Sequence, residues 1–257
     1  MVKSNVDFKA VINRFLKRSL RKIGVLILAF DCSSHLGSVA VLDGPQVLAS
    51  ERLDPAKRSA QTLAPAIEEC LSTAGRKSRE IKLIATTIGP GSFTGLRVGV
   101  TLAKTLAYAL KCDLVGLNTL DVLAAQVAKA EMRGETGVIH AVIDAQRKEL
   151  FAGRYQASLN ADEPPRRLDD AETILTADFW LKSLKEGDVV TGSGLARLKD
   201  NLPAGVVLVP EEIFEPDAAM IGWLSLQEHT RGRRDDFWTF APLYIRPSYA
   251  EEKKPST

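Results

Sequence analysis

Two carboxylates and one glycine loop stand where this chain could do chemistry. Asp31 closes the apolar run Val25-Leu-Ile-Leu-Ala-Phe30, and Asp144 closes Val138-Ile-His-Ala-Val-Ile143. A carboxylate at the carboxyl end of a buried strand lies where open α/β sheets place their ligands. Paired aspartates on such hairpins can handle Mg²⁺ and phosphate; they can also simply cap their own turns. Turn capping is slightly the better reading, since no phosphate-gripping lysine is evident. The third feature is Gly89-Pro-Gly-Ser-Phe-Thr-Gly-Leu-Arg-Val-Gly99. Four glycines and a proline between a strand and a helix make a tight turn whose backbone N–H groups can hold an anion. The loop lacks the Gly-Lys-Ser/Thr ending of a Walker A motif, with Gly95-Leu96-Arg97 there instead, and it is not GxGxxG. From chemistry alone, a structural turn and a phosphate or partner contact are equally good readings. Gly192 and Gly194 leave room for an adenine ring, although a plain turn accounts for them better.

Other chemistries find little support. The histidines are His35, His140 and His229, none three or four residues from another, and Cys32, Cys70 and Cys112 form no CxxC pair. A helical two-histidine metal site, a cysteine-rich zinc site and a disulfide framework are therefore excluded. Ser92 and Ser193 lack a G-x-S-x-G setting. His35 lies in a polar turn, His140 reads as a satisfied structural histidine, and Cys70 and Cys112 read as packing residues.

The elements that must carry these residues follow from hydrophobic periodicity. Buried strands are expected at 25–30 and 81–88, with return strands at 38–42 and 46–52. Helices are expected at 59–74, with Leu63, Ile67, Cys70 and Leu71 as the apolar stripe, and at 96–110. The second helix carries a row of small residues, Gly99, Ala103 and Ala107, on one face. Such a row lets another backbone approach closely. A short strand (113–117) and a helix (119–130) follow, then a turn-rich joint at 133–137. Beyond it, a buried strand, a terminal aspartate, a short turn and a returning strand (149–156) repeat the opening about 113 residues later. Residues 161–170 read as a loop, 189–194 as a strand entering a glycine turn and 217–228 as a helix. The repeat predicts two similar α/β lobes, 25–132 and 133–250, with a tail at 251–257.

With 257 residues, 45% hydrophobic and 26% charged, the chain has globular proportions. No apolar run approaches the ~20 residues that a membrane span needs. Its formal net charge is +2, but residues 1–24 hold seven basic side chains against Asp7, so the body carries −4. An acidic body has little electrostatic reason to hold a phosphate backbone unaided. The basic extension has helical spacing of apolar residues. It reads as an appended helix or the product of an upstream start, with a partner or membrane-surface contact and an organelle transit peptide as alternatives.

The glycine-loop run strongly resembles the signature of the TsaB (YeaZ) family, accessory subunits for making N6-threonylcarbamoyladenosine in tRNA. Supporting matches are Ile27-Leu-Ala-Phe-Asp31 with Ser33, the hairpin Asp144-Ala-Gln-Arg-Lys-Glu-Leu-Phe151, and Pro242-Leu-Tyr-Ile-Arg246. The resemblance covers about residues 25–250. It implies a two-lobed α/β fold of the actin/Hsp70/sugar-kinase (ASKHA) class, each lobe a mixed sheet with flanking helices. It implies a cytoplasmic, non-catalytic scaffold that pairs with TsaD, with TsaE in the complex, for threonylcarbamoyl transfer to adenosine 37 of ANN-decoding tRNA. The tRNA would be met only through the complex, and the chain would form a homodimer when TsaD is absent. TsaD binds metal through two histidines four apart; Thr119 and Leu123 stand at those positions here, and neither can replace an imidazole. No metal or cofactor is implied, beyond weak ATP or ADP binding at a vestigial site of Asp31, Ser33, Gly89, Gly91, Ser92, Asp144, Gly192 and Gly194. The family's contact uses the first two helices, so Leu63, Ile67, Leu71, Gly99, Ala103 and Ala107 are expected at a partner interface. One departure is Arg58-Ser59, where the family usually has His-Ser. The alternative function is a small-molecule kinase or ATPase using Asp31, Asp144 and the glycine loop.

Overall fold

The computed structural model describes residues 24–57, 59–130, 137–158, 160 and 163–246. The basic extension before Gly24, Arg58, most of the 133–137 joint and the tail lie outside them.

The chain opens with β1 (Leu26–Asp31), β2 (Ser38–Asp43) and β3 (Gln46–Arg52), then α1 (Ser59–Thr73), β4 (Leu83–Gly89), α2 (Phe93–Leu110), β5 (Asp113–Asn118) and α3 (Thr119–Lys129). These strands form one sheet in the order β3-β2-β1-β4-β5, with β1 antiparallel to β2 and parallel to β4, and β4 parallel to β5. The second half has β6 (Val138–Asp144), β7 (Glu149–Gln156), β8 (Arg166–Arg167), β9 (Thr173–Thr176), α4 (Ala177–Ser183), β10 (Val189–Thr191), β11 (Val207–Leu208) and α5 (Ala218–Thr230). Its sheet runs β11-β10-β6-β7-β8, with β9 also on β7. Here β6 is antiparallel to β7 and parallel to β10, and β10 is parallel to β11. Strand by strand, β6 takes the place of β1, β7 of β2, β10 of β4 and β11 of β5. The repeat of pattern is thus a repeat of topology, the two-lobed ASKHA arrangement.

The continuous apolar run of β1 follows from burial on both faces. Leu26, Leu28 and Phe30 enter a core shared with α1 and α2, while Ile27 and Ala29 enter a second core beneath α3 and α5. Helix α3 serves both lobes: Val122 and Ala125 pack under the first sheet, and Leu120, Leu123, Ala124 and Val127 join the core of the second. Helix α5 is buried from Ala218 to Leu226, with Asp217 as its N-cap.

Two expectations need correction. First, a cut at residue 132/133 separates the strands of the two sheets but not the lobes. Helix α5 packs under the first sheet, and the following strap returns to its edge. The Asp235 N–H donates to the Leu114 carbonyl at 2.8 Å, the Leu243 N–H donates to the Ile88 carbonyl at 2.7 Å, and Phe240 is buried in the α1/α2 core. The strap covers the open edge of β5, which would otherwise offer unpaired backbone groups. Second, Leu63, Ile67, Leu71, Gly99, Ala103 and Ala107 do not form a surface. All six are buried within the first lobe. The small-residue row does permit a close approach, but to the lobe's own sheet: a Cβ on Gly99 would meet Thr86 and Cys32.

Smaller differences have local causes. Helix α2 starts at Phe93, three residues earlier than expected, because the Ser92 hydroxyl caps it by accepting from the Gly95 N–H at 3.3 Å. Strand β4 starts at Leu83, after a short 3₁₀ turn at Ser78–Glu80. The loop expected at 161–170 contains β8, and β9 and α4 were not anticipated, being short elements with few periodic positions.

Candidate functional site

At the end of β1 the Asp31 carboxylate is fully buried. Its Oδ1 accepts from the Ser33 N–H at 3.0 Å, the Ser33 hydroxyl at 2.6 Å and the Thr87 hydroxyl at 2.6 Å; its Oδ2 accepts from the Ser34 hydroxyl at 2.8 Å. Charge-assisted hydrogen bonds of this kind compensate burial of the carboxylate. Three of these donors converge on Oδ1 and one on Oδ2, so the carboxylate is turned toward its own lobe.

The glycine loop closes against this turn from the other side. The Ser92 N–H donates to the Ser33 carbonyl at 2.7 Å. A Cβ on Gly91 would overlap the Ser33 carbonyl oxygen, and one on Gly95 would overlap that of Cys32. Gly91 also has φ +157° and Gly89 φ +129°, the latter in the region that favours glycine. The glycines therefore let two turns of the same lobe touch, and the Cys32-Ser33 backbone fills the hollow that could have held an anion.

In the second lobe Asp144 is half-buried. Its Oδ1 accepts from the Gln146 N–H at 2.8 Å, and its Oδ2 is 3.9 Å from the Arg197 guanidinium. Gly192, with φ +109°, sits on the backbone of Val142, and Gly194 packs against Leu150 and the carbonyl carbons of Val142 and Ile143. Of the sequence-derived set, Asp31, Ser33, Gly91 and Ser92 form one cluster; Asp144, Gly192 and Gly194 gather around the end of β6. The strap links the two groups. Leu243 lies against Gly89, and the Arg246 guanidinium donates to the Ala145 carbonyl at 2.8 Å and pairs with Glu149.

Periodicity did not flag Glu215. It lies on the crossover from the second lobe to α5, and its backbone carbonyl accepts from the Gln126 amide at 3.1 Å. Burial pushes its carboxyl up to about 7, and the Asp31 charge adds to this; a hydrogen bond from Ser34 and the Arg52 charge oppose it. Its Oε2 is buried without a hydrogen-bond partner. The other titratable groups read as structural. His140 is buried with Nε2 at 3.1 Å from Asp188, and desolvation lowers its pKa. Burial raises the Cys70 and Cys112 thiols to about 11, away from nucleophilic reactivity. His35 is exposed. Thr119 and Leu123 are buried in α3, and the Thr119 hydroxyl has no partner. Among the described residues, no group of three or more His, Cys, Asp or Glu side chains is placed to hold a metal.

The exposed side of the first lobe carries aromatic side chains that the sequence reading also missed. Phe93 and Tyr244 stack with centroids 4.9 Å apart, with the Arg97 guanidinium 4.0 Å above Phe93. Tyr108 meets Phe237 at 5.6 Å and Trp238 at 6.1 Å, and Trp238 is 74% exposed. Phe93, Arg97, Lys104 and Tyr108 recur at helical spacing on a different face of α2 from Gly99, Ala103 and Ala107, so their signal was present as a second stripe.

Residues 52–177 match a family model described as "TsaD: tRNA N6-adenosine threonylcarbamoyltransferase". The chain is 33% identical over 162 residues to the tRNA threonylcarbamoyladenosine biosynthesis protein TsaB of Bacillus subtilis, covering 63% of this chain and 67% of that protein. To the TsaB of Escherichia coli it is 29% identical over 233 residues, 89% of this chain and 98% of that protein. The solved structure of YeaZ from Pseudomonas aeruginosa superposes with a TM-score of 0.72 at 24% identity, covering 86% of this chain and all of that one. A shared fold along nearly the whole body, and identity at this level to TsaB proteins of two bacteria, make this chain a member of the TsaB family.

Proposed function

We propose that this chain takes part in the biosynthesis of N6-threonylcarbamoyladenosine in tRNA as an accessory subunit without a reaction centre of its own. It pairs with TsaD, with TsaE joining the complex, and supports threonylcarbamoyl transfer to adenosine 37 of ANN-decoding tRNA. The observation that carries the accessory reading is the occupied state of Asp31, whose carboxylate accepts four hydrogen bonds from its own lobe while the glycine loop is packed on the same turn. A carboxylate so engaged is a structural strut, and binding of ATP or ADP there is weak at most. The partner surface is the exposed side of α1 and α2, with the aromatic groups around Phe93 and Tyr108 as anchors; Trp, Tyr and Arg are the residues that most often dominate interfaces. The same surface serves a homodimer when TsaD is absent. The place of work is the cytoplasm; no described helix is long and apolar enough to cross a membrane.

The test is reconstitution. Purified chain, TsaD, TsaE and the threonylcarbamoyl donor should modify a tRNA transcript, and omission of this chain should abolish modification. The ASKHA-kinase alternative draws on Asp31 and Asp144 terminating equivalent strands of the two lobes. Steady ATP hydrolysis by the isolated chain, abolished by Asp31→Asn without unfolding, would establish it instead.

A further inference from the structure

A cleft of about 480 Å³ opens at the amino end of the first sheet, between Gly24, Asp43 at the end of β2, and the segment that leads from α1 into β4. That segment, Arg76-Lys77-Ser78-Arg79-Glu80-Ile81-Lys82, holds four basic residues and one acid in seven, on a body whose net charge is −4. Arg76, Arg79, Glu80 and Lys82 all line the cleft. Its two carboxylates are already engaged. The Arg76 guanidinium lies 2.8 Å from Asp43 and 3.6 Å from Glu80, and Glu80 also accepts from the Lys77 N–H at 2.6 Å. Arg79 and Lys82 remain. Both are exposed, and among the described residues neither side chain makes an ion pair or a hydrogen bond. Two like charges on the wall of one concavity repel each other, and an anion that enters relieves this.

The chain around the cleft indicates the class of anion. Residues 1–24, with seven basic side chains against Asp7, enter the body at Gly24, on the cleft's rim. A basic N-terminal arm joined to a basic cleft suits a polyanion with regularly spaced charges, the backbone of a nucleic acid. A protein partner would more often be met by apolar anchors, and none of the large exposed hydrophobic residues lines the cleft. No aromatic side chain lines it either, so it offers nothing on which a base could stack. What it offers is charge, which positions a backbone without reading its sequence.

We propose that this cleft, through Arg79 and Lys82, holds the phosphodiester backbone of RNA. This rests on the reading of the chain as a tRNA-modification subunit and goes beyond it. It gives this subunit an RNA contact of its own, at the end of the first sheet opposite Asp31.

The test uses the full chain with TsaD and measures fluorescence anisotropy of a labelled ANN-decoding tRNA transcript across salt concentrations. Arg79→Gln with Lys82→Gln should weaken binding about tenfold and flatten the salt slope by roughly 1.5, the loss of two phosphate contacts, with unchanged melting temperature. The charge-preserving pair Arg79→Lys with Lys82→Arg should keep both affinity and slope. Lys182→Gln with Lys185→Gln removes two exposed cations from the second lobe, and it too should leave both unchanged. Wild-type affinity and slope in the Arg79/Lys82 glutamine variant would overturn the proposal, as would an equal loss in the Lys182/Lys185 variant or absence of RNA binding by the wild-type complex. Cosedimentation with vesicles of equal parts phosphatidylcholine and phosphatidylglycerol, lost in the glutamine variant while RNA binding is kept, would give the cleft to a membrane surface and overturn it. Loss of TsaD or TsaE association with unchanged RNA binding would give it to a protein and also overturn it. The functional reading fails on a separate readout, absence of tRNA modification by the wild-type reconstitution.

Discussion

The Thr87 hydroxyl on β4 donates to the Asp31 carboxylate on β1 at 2.6 Å, tying the carboxyl ends of two adjacent parallel strands together. The carboxylate faces donors of its own lobe. Replacing Thr87 by Val leaves Asp31 with one donor fewer in a fully buried site. A loss of about 1–2 kcal/mol in unfolding free energy is expected from denaturant titration. An unchanged midpoint would show that the pair contributes nothing.

Glu215 makes stability depend on pH. Its carboxyl is raised to about 7 from an ordinary value of 4.5, chiefly by burial. The folded chain therefore holds this proton where the unfolded chain has released it. Its stabilising contribution is complete below about pH 4.5 and lost as pH rises through 7, on the order of 3 kcal/mol. Glu215→Gln should flatten the profile between pH 5.5 and 8 and raise stability at pH 8. Urea midpoints across that range decide it, and an identical slope in the variant would remove Glu215 as the cause.

Ala103 is fully buried on the inward side of α2. Ala103→Trp should therefore unfold the first lobe or cost roughly 3 kcal/mol or more by overpacking, rather than produce a folded monomer with a blocked interface. Circular dichroism melting separates the two outcomes.

Trp238 and Tyr108 are exposed and touch each other. Their joint replacement by Ala should change stability by less than about 1 kcal/mol. The same variant should weaken association with TsaD about tenfold or more in sedimentation experiments. Full association would move the partner surface elsewhere.

The duplicated topology was legible because β1 and β6 are buried on both faces and end in aspartate, a pattern that depends only on local sequence. The roles of the glycines were legible by half. Their need for close approach was clear, but whether Gly91 and Gly95 would face a ligand or the Cys32-Ser33 turn depends on contacts about 60 residues apart. The small-residue row gave the same ambiguity, since Gly99, Ala103 and Ala107 suit a sheet below as well as a helix outside. Glu215 could not be found by periodicity, because its environment is assembled from β1, β3 and the crossover before α5.

The return of the chain to its first lobe bears on how the protein is made. The Ser38 hydroxyl donates to the Pro216 carbonyl and accepts from the Ala218 N–H, 178 and 180 residues further on. On the ribosome, β1 to β5 emerge first, yet one face of their sheet is covered only in part, by α3, until α5 has been synthesised, and β5 keeps an open edge until the strap follows. Every strand of the second sheet is out before then. The lobe begun first is therefore completed last, and during that interval the uncovered part of its sheet is the surface that a nascent-chain chaperone would meet.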